Sequence, residues 1–523
     1  MFEFLRRRLQ PAPALRAPLR AAAWDGQALR LACGTGLASL ALDVDGAYFG
    51  SVPIEDGRTG FEFPFSPSGR AEFAVLPRAG RDGDALAAQP LRLCIGRPGI
   101  GRASATPAAL ATLAGPARRV PFGVDVAARE VAIIVPVYGA AALVERCLGS
   151  VLAHTRGRAR LIIIDDASPD AEITPLLASH AHLPGVTVLA NSRNLGFTAT
   201  VNRGLAEARD ADVVLLNADA DVGPGWLTGL RRAACSADDV GTVTAVSDNA
   251  GAFSVPELEQ ANALPPAWSF EDAARALWQQ AGLVYPELPT GNGFCLYIRR
   301  EVLAVIGGFD AVAFPEGYGE ENDFCQRAAR HGFRHLVAGN VLVRHARSAS
   351  FGEERRRRLG TAGMAVLRQR WPGYEREVGR ALFSFERRVL DWRVRRLFAA
   401  AHPANAPKPR LLWVGEGAPA WPDAEVWTLR ARGSENELLV DGVVVAANTW
   451  HADDPEPSYR ALWDWLQVFA FERLIVAERK EAVAQILCRL LDIPLGVVDP
   501  RAPSAALALA AAASAASFPE RPQ

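Results

Sequence analysis

The chain has 523 residues, of which half are hydrophobic and 22% are charged, and its formal net charge is −1. This length exceeds what a single hydrophobic core normally serves, so the sequence predicts several domains. The near-neutral charge creates no global field that would attract nucleic acid, so nucleic-acid binding is not expected. Seven cysteines stand singly without a CxxC pair, which is typical of reduced thiols and favours a cytoplasmic location.

The first 125 residues consist of short segments that alternate apolar and polar positions. Segments such as LASLALDVDG and AEFAVLP are separated by Gly, Asp and Pro, which are the residues of tight turns. This pattern predicts an accessory domain over residues 1–125 with an antiparallel, β-sandwich-like fold. It contains no recognisable catalytic constellation.

The pattern changes at Glu130, after which apolar strands alternate with amphipathic helices. The segments VAIIVPV, LIIIDD, VTVLAN and VVLLN are nearly continuous apolar runs, and the stretches between them carry apolar residues at helical spacing. This alternation predicts an α/β domain over residues 126–372, in which a mostly parallel, Rossmann-like sheet is buried on both faces.

Three further segments follow the central domain. The sequence of residues 373–408 predicts a basic helical linker. Its apolar stripe is interpreted first as packing on the preceding domain, and peripheral contact with the inner face of a membrane is the alternative. The sequence of residues 409–500 predicts a small Rossmann-like α/β domain that docks to the main domain or to a partner. Residues 501–523 form an alanine-rich, low-complexity tail.

The fourth apolar run of the central domain leads directly into Asn217, Asp219 and Asp221. Alternate positions of an extended chain face the same side, and two neighbouring carboxylates repel each other unless a cation lies between them. The pattern therefore favours a site for Mg²⁺ or Mn²⁺. A solvated Asx turn is the competing interpretation, because Gly223, Pro224 and Gly225 follow directly.

Polar or turn-forming residues also follow the first three predicted strands, and ligands of open parallel sheets bind beyond these carboxyl ends. Acids there can accept hydrogen bonds from a base or a ribose, and glycine lets a ligand approach the backbone closely. The residues in question are Pro136, Val137 and Tyr138 after the first strand, Asp165 and Asp166 after the second, and Arg193, Asn194 and Gly196 after the third.

Taken in order, these motifs resemble those of the family-2 glycosyltransferases, inverting enzymes of the GT-A fold. IIVPVYG resembles the first-strand signature of that family, IIIDDASPD its base-contacting strand end, SRNLGF its donor loop and LLNADADV its DxD-type metal motif. The similarity covers about residues 129–372 and is strongest to rhamnosyltransferase-like members that build cell-surface polysaccharide. It implies a UDP-, dTDP- or GDP-linked sugar donor and a glycan or lipid-linked acceptor.

The resemblance also implies a role for individual residues. LPTGNGF resembles the acceptor-side segment, which assigns Gly291, Asn292 and Gly293 to the acceptor, and His345 follows a strand where relatives carry a metal-site histidine. The implied metal ligands are Asp219, Asp221 and His345. The implied donor-binding residues are Pro136, Val137, Tyr138, Asp165, Asp166, Arg193, Asn194, Gly196, Asn202, Asn217 and Asp219.

The catalytic base is expected within the segment GEENDF, which resembles the ED-type motif of the family. Glu321 occupies the acidic second position and is the first candidate, although relatives usually carry Asp there. Asp323 is the rival and Glu320 the third candidate, while all three acids also suit the amino-terminal turn of a helix. A second departure from the family pattern is Gly139 with two alanines, where many relatives have Asn and a nearby Glu.

Two other functions compete with glycosyl transfer. A sugar nucleotidyltransferase would carry a glycine-rich loop after the first strand, and PVYGAAAL contains no such loop. A non-catalytic scaffold that only binds nucleotide sugar in a glycan assembly complex is the remaining alternative. The intact acids argue against it.

Overall fold

The computed structural model describes residues 19, 21–25, 27–33, 37–55, 58–62, 72–94, 97–102, 117–347, 353–476 and 482–497. The chain forms two compact units, of which the first contains residues 1–116 and 391–396 and the second contains residues 117–390 and 397–523. The sequence-derived boundaries at residues 125, 372, 408 and 500 stay predictions, and the tail from residue 501 lies outside the described residues.

The first unit contains two antiparallel sheets, a three-stranded one in the order β1-β2-β5 and a five-stranded one in the order β4-β3-β6-β7-β8. Its strands are β1 Ala21–Trp24, β2 Ala28–Ala32, β3 Ser39–Val44, β4 Ala47–Pro53, β5 Arg58–Glu62, β6 Glu72–Arg78, β7 Leu91–Cys94 and β8 Arg97–Arg102. In β6, Phe73 and Val75 are buried while Glu72 is exposed, as the alternating sequence predicts. Trp24 packs edge-on against Phe73 with 5.7 Å between ring centroids, so both sheets contribute to one apolar core.

Twelve α-helices occur among the described residues, all of them after the first unit's strands. They are α1 Ala141–His154, α2 Ile173–His180, α3 Phe197–Ala208, α4 Trp226–Ala234, α5 Phe270–Gln280, α6 Arg300–Ile306, α7 Glu320–Arg330, α8 Glu353–Arg370, α9 Tyr374–Leu382, α10 Phe385–Ala399, α11 Glu456–Val468 and α12 Ala482–Leu490. In α10, Val389, Leu390, Trp392 and Val394 are buried. No helix in the described part of the chain is long and apolar enough to cross a membrane.

The central domain contains an eight-stranded sheet in the order β11-β10-β9-β12-β15-β14-β16-β13. Its strands are β9 Val131–Val137, β10 Ala159–Asp165, β11 Val186–Ala190, β12 Asp212–Leu216, β13 Ala220–Val222, β14 Val240–Ser247, β15 Cys295–Ile298 and β16 Arg334–His345. Only β13 and β15 run antiparallel to their neighbours in this described sheet. The predicted α/β fold with a mostly parallel sheet is therefore confirmed.

Both faces of this sheet are buried. Ile134 and Ile164 pack against α3 on one face, where Gly204 approaches so closely that a Cβ atom would lie 2.6 Å from Ile134. The alternate residues Ile133 and Ile163, which face the other side, are also inaccessible to solvent. Continuous apolar strands bury side chains on both faces, so polar residues collect at the strand ends.

The C-terminal part of the second unit contains a six-stranded sheet in the order β20-β19-β18-β17-β21-β22. Its strands are β17 Arg410–Val414, β18 Glu425–Arg432, β19 Glu435–Val440, β20 Val443–Thr449, β21 Arg473–Val476 and β22 Leu495–Val497. Two ion pairs tie this part to the central domain: Arg231 binds Asp492 at 2.9 Å, and Arg275 binds Glu472 at 2.8 Å.

A buried histidine predicts that the second unit loses stability in acid. His335 donates from Nε2 to the carbonyl of Cys325 and accepts at Nδ1 from Thr242, and burial lowers its pKa from 6.5 to about 4. The unfolded chain therefore takes up this proton first as the pH falls from 6.5 to 4, which costs about 3 kcal/mol of stability. We expect urea denaturation midpoints to fall over this range, and to fall less in His335→Gln.

The control for this prediction is His182→Gln, because His182 is exposed. That variant should follow the parent protein at every pH. An identical acid response in His335→Gln and the parent would show that His335 is not the group concerned.

Candidate active site

A cleft of about 420 Å³ opens at the carboxyl ends of β9, β10 and β12. It gathers residues from widely separated parts of the chain, because parallel strands end at the same edge of the sheet. The sequence-predicted residues that line it are Pro136, Val137, Tyr138, Asp166, Asn194, Gly196, Asn217, Asp219, Asn292, Gly293, Glu320, Glu321 and His345.

Four of the predicted donor-side and acceptor-side residues do not line the cleft. Asp165 accepts a hydrogen bond from the backbone N–H of Ser168 at 2.9 Å, and the Asn202 side chain is engaged by the backbone of Phe309. Gly291 donates its N–H to the sulfur of Cys325 at 3.1 Å, and Arg193 is exposed. The geometry does not support direct contact of these four residues with the sugar donor or the acceptor glycan.

Asp166 lines the cleft and also organises the loop after β11. Its carboxylate accepts hydrogen bonds from the backbone N–H groups of Leu195 and Gly196, at 2.8 and 3.0 Å. Gly196 has a φ of 83°, and a Cβ atom there would lie 2.6 Å from the carbonyl oxygen of Pro315. Glycine is therefore required for this loop to approach the chain around Pro315.

The two aspartates after β12 do not face the same site. Asn217 accepts a hydrogen bond from the N–H of Ala220 at 3.1 Å, so a turn interrupts the extended chain before Asp221. Asp221 then lies in β13, buried, and is neutralised by Arg146 at 2.9 Å and Arg344 at 2.7 Å. The expectation of an extended chain that aligns both carboxylates is wrong here, and Asp219 alone reaches the cleft.

Asp219 instead faces His345, whose Nε2 lies 3.3 Å from the aspartate Oδ1. The Nδ1 atom of His345 lies 3.1 Å from the carbonyl oxygen of Asn249, and a carbonyl only accepts, so Nδ1 carries a proton. In the neutral ring Nε2 is then an acceptor that faces another acceptor. A cation between them would relieve the repulsion.

This pair fits a divalent ion that keeps most of its coordination shell for other ligands. Among the described residues no group of three or more His, Cys, Asp or Glu side chains could hold a metal by itself. Mg²⁺ and similar ions are commonly held by one or two protein ligands plus water and substrate phosphates. The hydrogen bond from Nδ1 is the support that orients a metal-binding histidine.

The three candidate bases occupy the first turn of α7 but have different surroundings. Asp323 is fully buried and bound by Arg327 at 2.9 Å, Arg370 at 3.1 Å and the Trp371 indole at 3.0 Å, and it does not line the cleft. An acid with these partners stabilises the packing of α7 and has no route to a substrate. The geometry gives no support to Asp323 as the base.

Glu320 and Glu321 both line the cleft, and they differ in their protonation. Burial raises the pKa of Glu320 well above its ordinary value, and the negative charge of Glu321 raises it further. Glu320 is therefore held neutral at pH values at which an exposed glutamate is ionised. Glu321 accepts from the N–H of Gly293 at 3.3 Å and shares a side-chain hydrogen bond with Glu320, which also favours the neutral form of Glu320. The Oε2 atom of Glu321 is buried and has no donor in hydrogen-bond geometry among the described residues.

Several cleft residues were not expected from the sequence. They come chiefly from the loop before α7 and from the chain after β16, and they include Phe197, Thr200, Phe294, Glu316, Gly317, Tyr318 and Arg347. Phe294 stacks on the His345 ring at 5.4 Å and so fixes its plane. Phe197 and Phe294 end the motifs SRNLGF and LPTGNGF, and Arg347 stands two residues after His345, so these three residues had a signal in the sequence.

Residues 132–307 match the model of the family described as Glycosyl transferase family 2. The central domain of this chain is a family-2 glycosyltransferase domain. The match covers the strand ends that build the donor side of the cleft, and it ends before α7.

Curated relatives of this glycosyltransferase include a protein of Mycobacterium tuberculosis (strain H37Rv), N-acetylglucosaminyl-diphospho-decaprenol L-rhamnosyltransferase. It is 27% identical over 244 residues, which cover 42% of this chain and 78% of that protein. The succinoglycan biosynthesis protein ExoO of Rhizobium meliloti is 32% identical over 119 residues, or 23% of this chain and 33% of that protein.

Among solved structures, similarity extends to a mannosyltransferase from Pyrobaculum calidifontis in complex with GDP-Man and Mn²⁺. The identity is 20%, the TM-score is 0.37, and the match covers 55% of this chain and 78% of that one. GalNAc-T7 with UDP, GalNAc and Mn²⁺ matches at 19% identity and a TM-score of 0.34, over 42% of this chain and 43% of that one.

The neutral state of Glu320 predicts a stability change toward alkaline pH. Its folded-state pKa is raised, so the stability it contributes is complete below the unfolded pKa near 4.5 and is lost as pH rises toward the folded value. The loss is at most about 1.4 kcal/mol per pH unit. Glu320→Gln keeps a neutral side chain at every pH. We therefore expect the difference in melting temperature, variant minus parent, to increase as the pH rises from 5 to 9.

Glu377→Gln is the matched control, because Glu377 is an exposed glutamate in the first turn of α9. Its melting temperature should follow the parent across the pH range. Parallel curves for Glu320→Gln and the parent would contradict a neutral Glu320.

Proposed function

We propose that this glycosyltransferase moves a hexose of the rhamnose type from a nucleoside diphosphate sugar to a hydroxyl of a lipid-linked glycan, with inversion at the anomeric carbon. The observation that carries the proposal is one cleft lined by the Asp219–His345 pair and by Glu321, whose Oε2 accepts no hydrogen bond from a described residue. A cation site and an available base are what direct displacement by a hydroxyl requires.

The donor would lie across the carboxyl ends of β9, β10 and β12. Pro136, Val137 and Tyr138 form the cleft wall at β9, and the loop held by Asp166 closes the side beside β11. Arg347 lines the same cleft and is exposed. Its Nη1 donates to Oδ1 of Asn249 at 3.4 Å, and its other N–H groups would be the donors to the phosphates of a sugar nucleotide.

Asp219 and His345 would hold Mg²⁺ or Mn²⁺, and the bound ion would offset the negative charge that develops on the departing diphosphate. Asn217 contributes to the same corner, since its amide nitrogen lies 3.4 Å from Nε2 of His345. Asp221 serves this corner indirectly, because its ion pairs fix β13 against β16 directly after the turn that carries Asp219.

Glu321 would remove the proton from the acceptor hydroxyl. Its Oε1 is fixed by the N–H of Gly293, which leaves Oε2 as the acceptor for that proton. Glu320, held neutral beside it, adds no second negative charge and so does not repel an anionic donor. Gly293 and Asn292 line the adjacent wall, which supports an acceptor position at this end of the cleft.

The acceptor class is supported by the relatives rather than by the cleft itself. The mycobacterial relative is named as an L-rhamnosyltransferase for N-acetylglucosaminyl-diphospho-decaprenol, and the rhizobial one is named for succinoglycan biosynthesis. A lipid-linked acceptor would bring the cleft to the inner face of a membrane, where the protein would act peripherally in cell-surface polysaccharide synthesis.

The metal assignment predicts different outcomes for the two aspartates. Asp219→Asn should abolish Mn²⁺ binding, as followed by electron paramagnetic resonance, and lower the release of nucleoside diphosphate at least 100-fold, with little change in melting temperature. Asp221→Asn leaves Arg146 and Arg344 without their partner, so it should cost about 1–3 kcal/mol of stability and retain Mn²⁺ binding. Loss of Mn²⁺ binding in Asp221→Asn alone would refute the assignment.

The base assignment predicts that Glu321→Gln folds and binds the donor. It should transfer sugar about 10² to 10⁴ times more slowly, which is the typical contribution of a general base. Glu320→Gln is the matched control and should retain most of the activity, because glutamine resembles the neutral acid. Transfer can be scored as nucleotide release with an acceptor present. Normal turnover by Glu321→Gln would rule out Glu321 as the base.

A further inference from the structure

A second concave site lies at the opposite edge of the central sheet. This groove, of about 500 Å³, is lined by residues that precede β9 and β10 and by residues of the C-terminal part of the same compact unit. Arg158 directly precedes β10, and Arg473 is the first residue of β21. Strands of seven residues separate this edge from the donor cleft, a distance of about 20 Å, so the two sites are separate.

Arginine dominates the lining of this site, the arginine groove. Four arginines line it, Arg156 and Arg158 from the central domain and Arg473 and Arg489 from the C-terminal part. The lining acids are Asp125 and Asp492. The formal charge of the lining is therefore positive.

Both aspartates are already engaged. Asp492 is bound by the buried guanidinium of Arg231 at 2.9 Å and by the hydroxyl of Thr228 at 3.1 Å. Asp125 accepts from the N–H of Ala128 and lies 3.5 Å from Arg489. Little of their negative charge is available to Arg156 and Arg158.

Arg156 and Arg158 donate to backbone carbonyls, of Thr155 and Ala128, and neither forms an ion pair with a described residue. Glu472, whose charge also reaches Arg156, is itself bound by Arg275 at 2.8 Å. Burial lowers the pKa of Arg156, and the positive charge of Arg473 lowers it further. The guanidinium groups of Arg156 and Arg158 thus line one groove in which no carboxylate neutralises the positive charge of both.

We propose that the arginine groove binds a phosphoryl group, as a phosphate monoester or a diphosphate. A guanidinium presents two parallel N–H donors that match the oxygens of phosphate, and a phosphate monoester carries nearly two negative charges at neutral pH. Its charge therefore offsets that of two arginines, whereas a single carboxylate offsets only one. The phosphoryl group could belong to a soluble ester or to a lipid headgroup.

The groove is built from both α/β parts of the second unit, so a bound phosphoryl group would bridge them. Arg156 and Arg158 belong to the loop before β10, while Arg473 begins a strand of the C-terminal sheet. A ligand that binds only the folded arrangement stabilises it in proportion to its occupancy. The C-terminal part would thus form one wall of a ligand site shared with the catalytic domain.

The test is calorimetric titration of the full chain with inorganic pyrophosphate at low ionic strength, with EDTA present to keep metal out of the donor cleft. We expect Arg156→Gln and Arg473→Gln each to weaken binding at least tenfold. Arg489→Gln, a substitution of an exposed side chain, should weaken it in the same direction without affecting folding. Arg432→Gln is the matched control, because Arg432 is an exposed arginine of the C-terminal sheet outside the groove.

A parallel arm measures sedimentation with vesicles that contain phosphatidic acid. Binding of pyrophosphate that these substitutions weaken identifies a soluble ester, and vesicle binding that they weaken identifies a headgroup. The proposal is overturned if the parent binds neither probe, or if the groove variants bind as the parent does while Arg347→Gln in the donor cleft loses binding. Melting temperatures of all variants confirm that each is folded.

Discussion

Burial of both faces of the central sheet is the constraint on which the catalytic part of the structure depends. Strands β9, β10 and β12 carry polar side chains only at or next to their ends, because both faces of the sheet are buried. Polar groups are therefore confined to the strand ends, and parallel alignment brings the carboxyl ends together. Because both faces of the sheet are buried, carboxylate and amide side chains collect in the cleft at the carboxyl ends of the strands.

The distribution of arginine decides which of the carboxylates remain available for chemistry. Asp212, Asp221 and Asp323 are buried, and each is bound by at least one guanidinium, so these acids hold strands and helices in place. Asp219 faces a histidine instead, and Glu321 keeps one oxygen without a hydrogen-bond partner among the described residues. Burial of an acid is compatible with either role, and its partners decide between them.

Motif order proved more informative than any single motif. The apolar runs predicted β9, β10, β11 and β12 almost to the residue, since long buried strands leave a clear pattern. The antiparallel strand β13 was not predicted, because a three-residue strand carries little periodicity. The loop that contributes Glu316 and Tyr318 to the cleft had no pattern that pointed to a ligand.

The sequence by itself determined the fold of the central domain and the family to which that domain belongs, because both depend on local periodicity and on motifs in a fixed order. Only the tertiary structure decided which members of each motif share the cleft. A turn at Asn217 separates Asp219 from Asp221, and packing against Arg370 and Trp371 withdraws Asp323 from the cleft that Glu321 lines. Which acids line the cleft depends on contacts between residues that are distant along the chain, and a local sequence pattern contains no information about such contacts.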